Sequence, residues 1–349
     1  EMKKYFIENN LPTIHMISIG GWNAPHPNTS MSTRVVYNNW VNWNNNLFDG
    51  FDWDVEGNDD PNNSNNNLTI SVLDLMGEMS QMAKLDGYIV SMAPAESYID
   101  PTTDLFDTSL QHNYPEWMEL QPDFYYHGHN SYSYLLYKYG YVHVVAGVTD
   151  TESTGASTTT VSSLVPTFDF ISIQLYEGYS HILYNITELG QSPVDYLVEY
   201  ITTVQQGWKV NFTNTSISTV PMDIKHHYNT NTDTNTDTDG MHVGIGNNKQ
   251  SDISYISHIF IPKTQLVIGL ANGWANNEKF LLLWPEIIAN VHEKLKNALR
   301  GFMFWDIADE GMNASVPTIP STSSIYNTND TNTKPMWMAK GLNNFLHTR

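Results

Sequence analysis

Apolar and polar positions follow two rhythms along the chain, and the two take turns. Short apolar runs bounded by Gly, Pro or Asn predict strands at Thr13–Ile19, Tyr88–Ala93, Phe168–Tyr176, Gln265–Leu270 and Gly301–Asp306. Apolar residues spaced by three and four predict helices over residues 1–10, 30–46, Ile70–Leu85, Val194–Gln206, Trp284–Leu299 and Pro335–Phe345. A further helix is expected over 131–139, followed by an apolar stretch at 142–148. Asn58–Asn67 and Thr151–Thr160 read as polar loops, and the Asn/Thr/Asp-rich residues 211–250 as a low-complexity insertion. Strands that alternate with helices predict a parallel sheet wrapped by helices, and a chain of 349 residues suits a single α/β barrel.

One strand departs from the apolar rule. Residues 49–56 read Asp-Gly-Phe-Asp-Trp-Asp-Val-Glu. Successive side chains of a strand point to opposite faces, so Asp52, Asp54 and Glu56 share one face while Phe51, Trp53 and Val55 share the other. The second face suits packing against helices. Three carboxyls on the first repel one another and resist burial, which makes a purely structural use a poor explanation. If they share protons, some can ionise while others stay neutral, and that division is what general acid catalysis requires.

Composition narrows the partners. The formal charge of −21, from 16 basic and 37 acidic residues, argues against nucleic acid and against anionic membrane surfaces, and is compatible with a neutral polysaccharide. The 20 Tyr and 10 Trp suit sugar stacking as well as ordinary packing. The absence of cysteine excludes structural disulfides and thiolate metal sites. No apolar run reaches the ~18 residues of a membrane span.

Residues 49–56 resemble the D-G-x-D-x-D-x-E signature of glycoside hydrolase family 18, the chitinase family, through Asp49, Gly50, Asp52, Asp54 and Glu56. Further landmarks extend the resemblance. Ser18-Ile19-Gly20-Gly21 is similar to the S-x-G-G of the family's third barrel strand, and Met92-Ala93-Pro94 to the end of its fifth. Gln174-Leu175-Tyr176 looks like the Q-x-Y of the sixth strand in the plant class III branch. Ala271-Asn272-Gly273-Trp274 suits the seventh strand, and Gly301–Trp305 the eighth.

The resemblance implies a (β/α)8 TIM barrel. It implies retaining, substrate-assisted hydrolysis of β-1,4-linked N-acetylglucosamine polymers such as chitin, with no cofactor and no metal. Glu56 would be the general acid and Asp54 would orient the substrate acetamide. Asp52 would share a proton with Asp54, and Tyr176 would donate to the acetamide oxygen. Trp305 would form the floor of the sugar site, with Gln174, Met92, Trp274 and Gly21 around the pocket. Asp49 and Gly50 would shape the entrance of the strand. An endo-β-N-acetylglucosaminidase would use the same residues, and a non-catalytic chitinase-like lectin or structural protein would usually lack the acid that Glu56 provides. The resemblance also implies secretion, with a signal upstream of residue 1, and N-x-[ST] sequons such as Asn28, Asn185 and Asn313 would then permit glycosylation.

Two departures stand out. The alignment begins at the second barrel helix, so strands one and two are expected from an upstream stretch, or else from self-assembly with a partner chain that completes the barrel. Glu177 stands where many relatives carry Asn or Asp. Elsewhere, His226-His227 and His127-Gly128-His129 read as solvated surface rather than metal ligands. The stretch Asn235–Gly240 has the start of a calcium loop but Gly246 at its twelfth position, and reads as a polar loop.

Overall fold

The computed structural model describes residues 2–10, 13–110, 127–148, 159–176, 180–212, 256–272, 281–296 and 299–305, with Met338, Ala339 and Leu342. The first half of the chain runs through α1 (Met2–Glu8), β1 (Met16–Gly21), α2 (Thr33–Asn44), β2 (Gly50–Val55), α3 (Ile70–Leu85) and β3 (Ile89–Met92). It continues through α4 (Ser133–Tyr139), β4 (Tyr141–Val148), β5 (Thr159–Pro166) and β6 (Phe170–Gln174). The second half adds α5 (His181–Thr187), α6 (Pro193–Gln206), β7 (Trp208–Asn211), β8 (Ile256–Ile259), β9 (Leu266–Ala271), α7 (Pro285–Leu295) and β10 (Gly301–Trp305).

Six of the strands form one sheet in the order β1-β2-β3-β6-β9-β10, and every neighbouring pair is parallel. The sheet is curled and flanked by helices, so the protein is mixed α/β. Parallel neighbours require crossovers, which is why a helix separates nearly every consecutive pair. β4 and β5 form a separate antiparallel hairpin, as do β7 and β8.

Helix boundaries follow local chemistry. The side chain of Thr69 caps α3 by accepting from the Val72 N–H (3.3 Å). Ser192 caps α6, Pro193 occupies its first turn, and Gly207 at φ 95° ends it. α3 buries Val72, Leu73, Met76, Met79 and Ala83, a stripe with helical spacing. The helices pack in succession, α2 against α3, α3 against α4, α5 against α6 and α6 against α7.

The main core lies between sheet and helices. Phe51, Trp53, Val90, Ile171, Ile173, Ile268 and Leu270 belong to it. Trp53 donates its indole N–H to Ser80 Oγ (2.8 Å), so the one polar atom of this large side chain is satisfied in the core. The N-terminal ends of the strands are tied by polar groups. Asp169 accepts from Lys84 Nζ (2.5 Å) and from the Val90 N–H (3.0 Å), and Arg300 donates to the carbonyls of Asp169 and Thr264 (2.9 Å each).

The strands of the six-stranded sheet and the long helices lie where the periodicity puts them, and α3 has the expected bounds. α7 is shorter than expected, because Lys296 turns into the left-handed region at φ 49°. α5 and the hairpin strands β5, β7 and β8 were not legible. β5 (Thr159–Pro166) begins inside the expected Thr151–Thr160 loop, and its Thr and Ser gain strand structure by pairing with the apolar β4. From residue 213 to 250 the expected insertion lies outside the described residues, as do most of Pro335–Phe345 and Asn235–Gly240.

Gly50 shows how tightly β2 and β3 meet, since a Cβ there would stand 1.8 Å from the Ile89 carbonyl oxygen. Gly50→Ala is expected to destabilise the fold by about 1–3 kcal/mol through this clash. Urea unfolding checks it as a lower midpoint with an unchanged m-value.

Candidate active site

β2 separates its two faces as the alternation requires. Phe51, Trp53 and Val55 are 0–1% exposed against the helices, whereas Asp52 and Asp54 are partly exposed on the concave face. Glu56, just past the strand, is buried. The concave face also carries Ser18 of β1 and Ser91 of β3, which both reach Asp52, and Gln174 of β6, which reaches Asp54 and Glu56. These groups cluster towards the C-terminal ends of the strands, the end at which α/β sheets assemble functional sites.

Close approach of β1 to β2 is part of the arrangement. Gly20 has φ 123°, and a Cβ on it would fall 2.2 Å from the Asp54 carbonyl oxygen. Only glycine combines that backbone with that distance. Gly21 follows at φ 97°, where a Cβ would lie 3.9 Å from Asp54 Oδ2.

The carboxyls divide into two sets. Asp52 accepts from the Ser91 hydroxyl and, at 3.5 Å, from the Ser18 hydroxyl. Burial pushes its pKa up to about 7, helped by the charge on Asp54 and opposed by the two serines. Asp54 is also raised, mainly by burial, while hydrogen bonds from Glu56 and Gln174 oppose the rise. A hydrogen bond between the carboxyls of Asp54 and Glu56 requires that one of them carry a proton. Asp52 and Asp54 act on each other through charge, and Asp54 is in hydrogen-bond contact with Glu56 as well.

Gln174 is more than pocket wall. Its Nε2 lies 2.8 Å from Asp54 Oδ1, 3.2 Å from Glu56 Oε1 and 2.6 Å from the Ala93 carbonyl. One amide thus spans both carboxyls and anchors them to the end of β3.

The remaining candidates fall in different places. Tyr176 follows β6, is buried, and packs with Ala271, Leu282 and Met303. Trp305 ends β10 beside Ala271 and leaves 56% of its surface exposed, an apolar face at the rim of the sheet. Met92 does not join the site. It alternates with Ser91 and so points into the core behind the sheet, fully buried. Asp49 and Gly50 lie at the opposite, N-terminal end of β2. Burial opposes ionisation of Asp49, but Lys3 Nζ (2.6 Å) and the His15 N–H (2.9 Å) hold its pKa below the usual range. Trp274 and Glu177 lie outside the described residues.

Several groups around the site had no sequence signal. The loop after β1 folds over Glu56: His26 Nε2 lies 2.8 Å from the Glu56 carbonyl, and Asn23 N–H donates to the Gly57 carbonyl (3.0 Å). Burial lowers the pKa of His26, so its ring is neutral and donates from Nε2. Trp22 and Asn23 both donate to Asp59 (2.9 and 2.6 Å), which fixes this loop to the one after β2. The hydroxyl of Tyr132 meets the backbone of Val55 between the two site acids.

A second polar cluster lies after β3. Asp100 Oδ2 is 2.9 Å from His129 Nδ1 and 3.2 Å from His181 Nε2, and Asp100 Oδ1 accepts from Thr102 (2.6 Å). Burial would raise the Asp100 carboxyl, but these three donors hold it well below the usual carboxylate range. His129 is therefore a part-buried partner of Asp100 rather than solvated surface. Among the described residues, no group of three His, Cys, Asp or Glu side chains is arranged to hold a metal ion. Compared with known proteins, the chain matches no family model and no curated sequence.

The raised pKa of Asp52 has a sign that can be tested. The folded state binds this proton more tightly than the unfolded chain does, so stability falls as pH rises from the usual carboxylate range to about 7. Asp52→Asn has no proton to lose and is expected to flatten that part of the profile. Urea midpoints of both proteins across this range check it, and parallel profiles would show that folding does not raise the Asp52 pKa.

Proposed function

We propose that the protein is a glycoside hydrolase of the family 18 kind. It would cleave β-1,4 linkages after N-acetylglucosamine, most simply in chitin, by substrate-assisted catalysis with retention. The observation that carries this reading is the set of three carboxyls on one strand face, with Asp54 hydrogen-bonded to Glu56, Gln174 spanning both, and Asp52 raised to about 7 behind them. The finer fold inferred with it is a (β/α)8 barrel, of which this sheet supplies strands three to eight. Two more strands, from the same protein or a partner chain, would complete it between the edge strands β1 and β10.

The chemistry follows from the proton inventory. Glu56 delivers its proton to the leaving glycosidic oxygen and later takes one from water. This family is an exception to the scheme of two catalytic carboxylates, because the substrate's own acetamide is the nucleophile. The acetamide N–H competes with Glu56 for the Asp54 carboxylate. As Asp54 turns to accept it, the shared proton stays on Glu56, where the leaving oxygen needs it. The negative charge of Asp54 then stabilises the oxazolinium ion, and Asp52 sets how much charge Asp54 carries. Tyr176 directs the acetamide oxygen, and the exposed ring of Trp305 provides a flat apolar floor for the sugar. A strongly acidic protein suits a neutral polymer.

Hydrolysis of chitin oligosaccharides by the intact protein and by Glu56→Gln tests the reading. The variant is expected to lose about a hundredfold or more in kcat, the scale of a missing general acid. Binding without hydrolysis by the intact protein would replace this reading with a carbohydrate-binding one. Neither binding nor hydrolysis would end it.

A further inference from the structure

β2 outruns its neighbour at the point where the two site acids stand. Its ladder to β3 ends at Trp53 opposite Met92, with one more bond from the Ala93 N–H to the Trp53 carbonyl (2.8 Å). Backbone groups two residues apart on a strand point to the same side, so the N–H and C=O of Val55 also face β3. β3 has turned away by then, at Pro94. The backbone groups of Val55 would be buried without a strand partner, an expensive arrangement.

One side chain takes the strand's place. The Tyr132 hydroxyl accepts from the Val55 N–H (2.7 Å) and donates to the Val55 carbonyl (3.1 Å). It does so from 77 residues away in sequence. The residue is fully buried and its ring stacks on Tyr98 with centroids 5.6 Å apart. Its own N–H also bonds the Tyr98 carbonyl (3.2 Å), so the hydroxyl has little freedom to move. Burial, with the charges of Asp54 and Glu56 nearby, keeps the phenol protonated and able to donate as well as accept.

Val55 separates Asp54 from Glu56, so its backbone dihedrals decide how the two side chains leave the chain relative to each other. On the far side, His26 holds the Glu56 carbonyl. We propose that Tyr132 is the positioning residue for the Asp54–Glu56 pair, acting as a one-atom continuation of β3 that fixes the direction of Glu56. The inference rests on the reading of Glu56 as general acid, but it is a statement about geometry and has its own measurable consequence.

The experiment compares the intact protein with Tyr132→Phe and with Tyr200→Phe. The second variant removes another fully buried hydroxyl that bonds a backbone carbonyl, that of Ile99 at 3.1 Å, away from β2. Two quantities are read: kcat and KM on chitin oligosaccharides, and the carboxyl titrations of Asp54 and Glu56 by 13C NMR. Tyr132→Phe is expected to lower kcat about tenfold or more with KM within about twofold, the pattern of an interaction realised in the transition state. It should also displace the titration of the Asp54–Glu56 pair, while Tyr200→Phe leaves both readouts in place.

Unchanged kcat and titration in Tyr132→Phe, or an equal effect of Tyr200→Phe, overturns the inference. If the intact protein hydrolyses nothing, the functional reading fails, and the positioning role is then judged on the titration alone. If Tyr132→Phe does not fold, 3-fluorotyrosine at position 132 keeps the hydroxyl but weakens it as an acceptor. The same titration shift is expected of it, and its absence overturns the proposal.

Discussion

Three acids that leave one face of a strand have Cα atoms only about 6.6–6.8 Å apart from one to the next, set by the strand's rise, so their carboxyls crowd together. Everything else at the site answers the cost of holding them there, half out of water. Hydroxyls from the strands on either side, Ser18 and Ser91, meet Asp52, and an amide from β6 spans Asp54 and Glu56. A proton between Asp54 and Glu56 removes one negative charge. The result is a graded set, in which burial favours the neutral form of Asp52 and a hydrogen bond joins Asp54 to Glu56.

Apolar packing makes that cost bearable. The same alternation that sends the acids to the concave face sends Phe51, Trp53 and Val55 into the core, where ring contacts run from Trp40 through Phe51 to Trp53. The strand cannot slip by one residue without burying carboxyls among aromatics and exposing the rings, so register and site chemistry are specified together. The sheet's two ends also differ in kind. Ion pairs and backbone acceptors stitch the N-terminal end, through Asp49 with Lys3 and Asp169 with Lys84. The C-terminal end is held by loop side chains, notably His26 and Tyr132, which support backbone rather than neutralise charge.

Loops after β1, β2 and β3 converge on the site, and each is braced by its own polar anchor. Asp59 joins the first two through Trp22 and Asn23, and Asp100 holds the third to α5 through His181. Glu96 adds a second tie to α5, accepting from the Ile182 N–H (3.2 Å) and the Tyr196 hydroxyl. A site whose loops are fixed by hydrogen-bonded carboxyls keeps its shape against solvent fluctuation, which suits recognition of a rigid sugar ring.

The sequence by itself determined the alternation of strands and helices, the bounds of α3, and the two faces of β2, because each depends on periodicity within a few residues. It also indicated the acids as a set, since carboxyls at three alternate positions of one strand have few structural uses. Pairings across the sheet were beyond it. Met92 went to the core because the polar neighbour Ser91 took the concave face, a choice that strand period leaves open until a partner is known. Gln174 bridged Asp54 and Glu56 from β6, because the arrangement of strands in the sheet decides which groups meet across it. Tyr132 reached Val55 only through the fold: a contact across 77 residues is written in no local pattern, and tertiary packing alone brings such groups within hydrogen-bond distance.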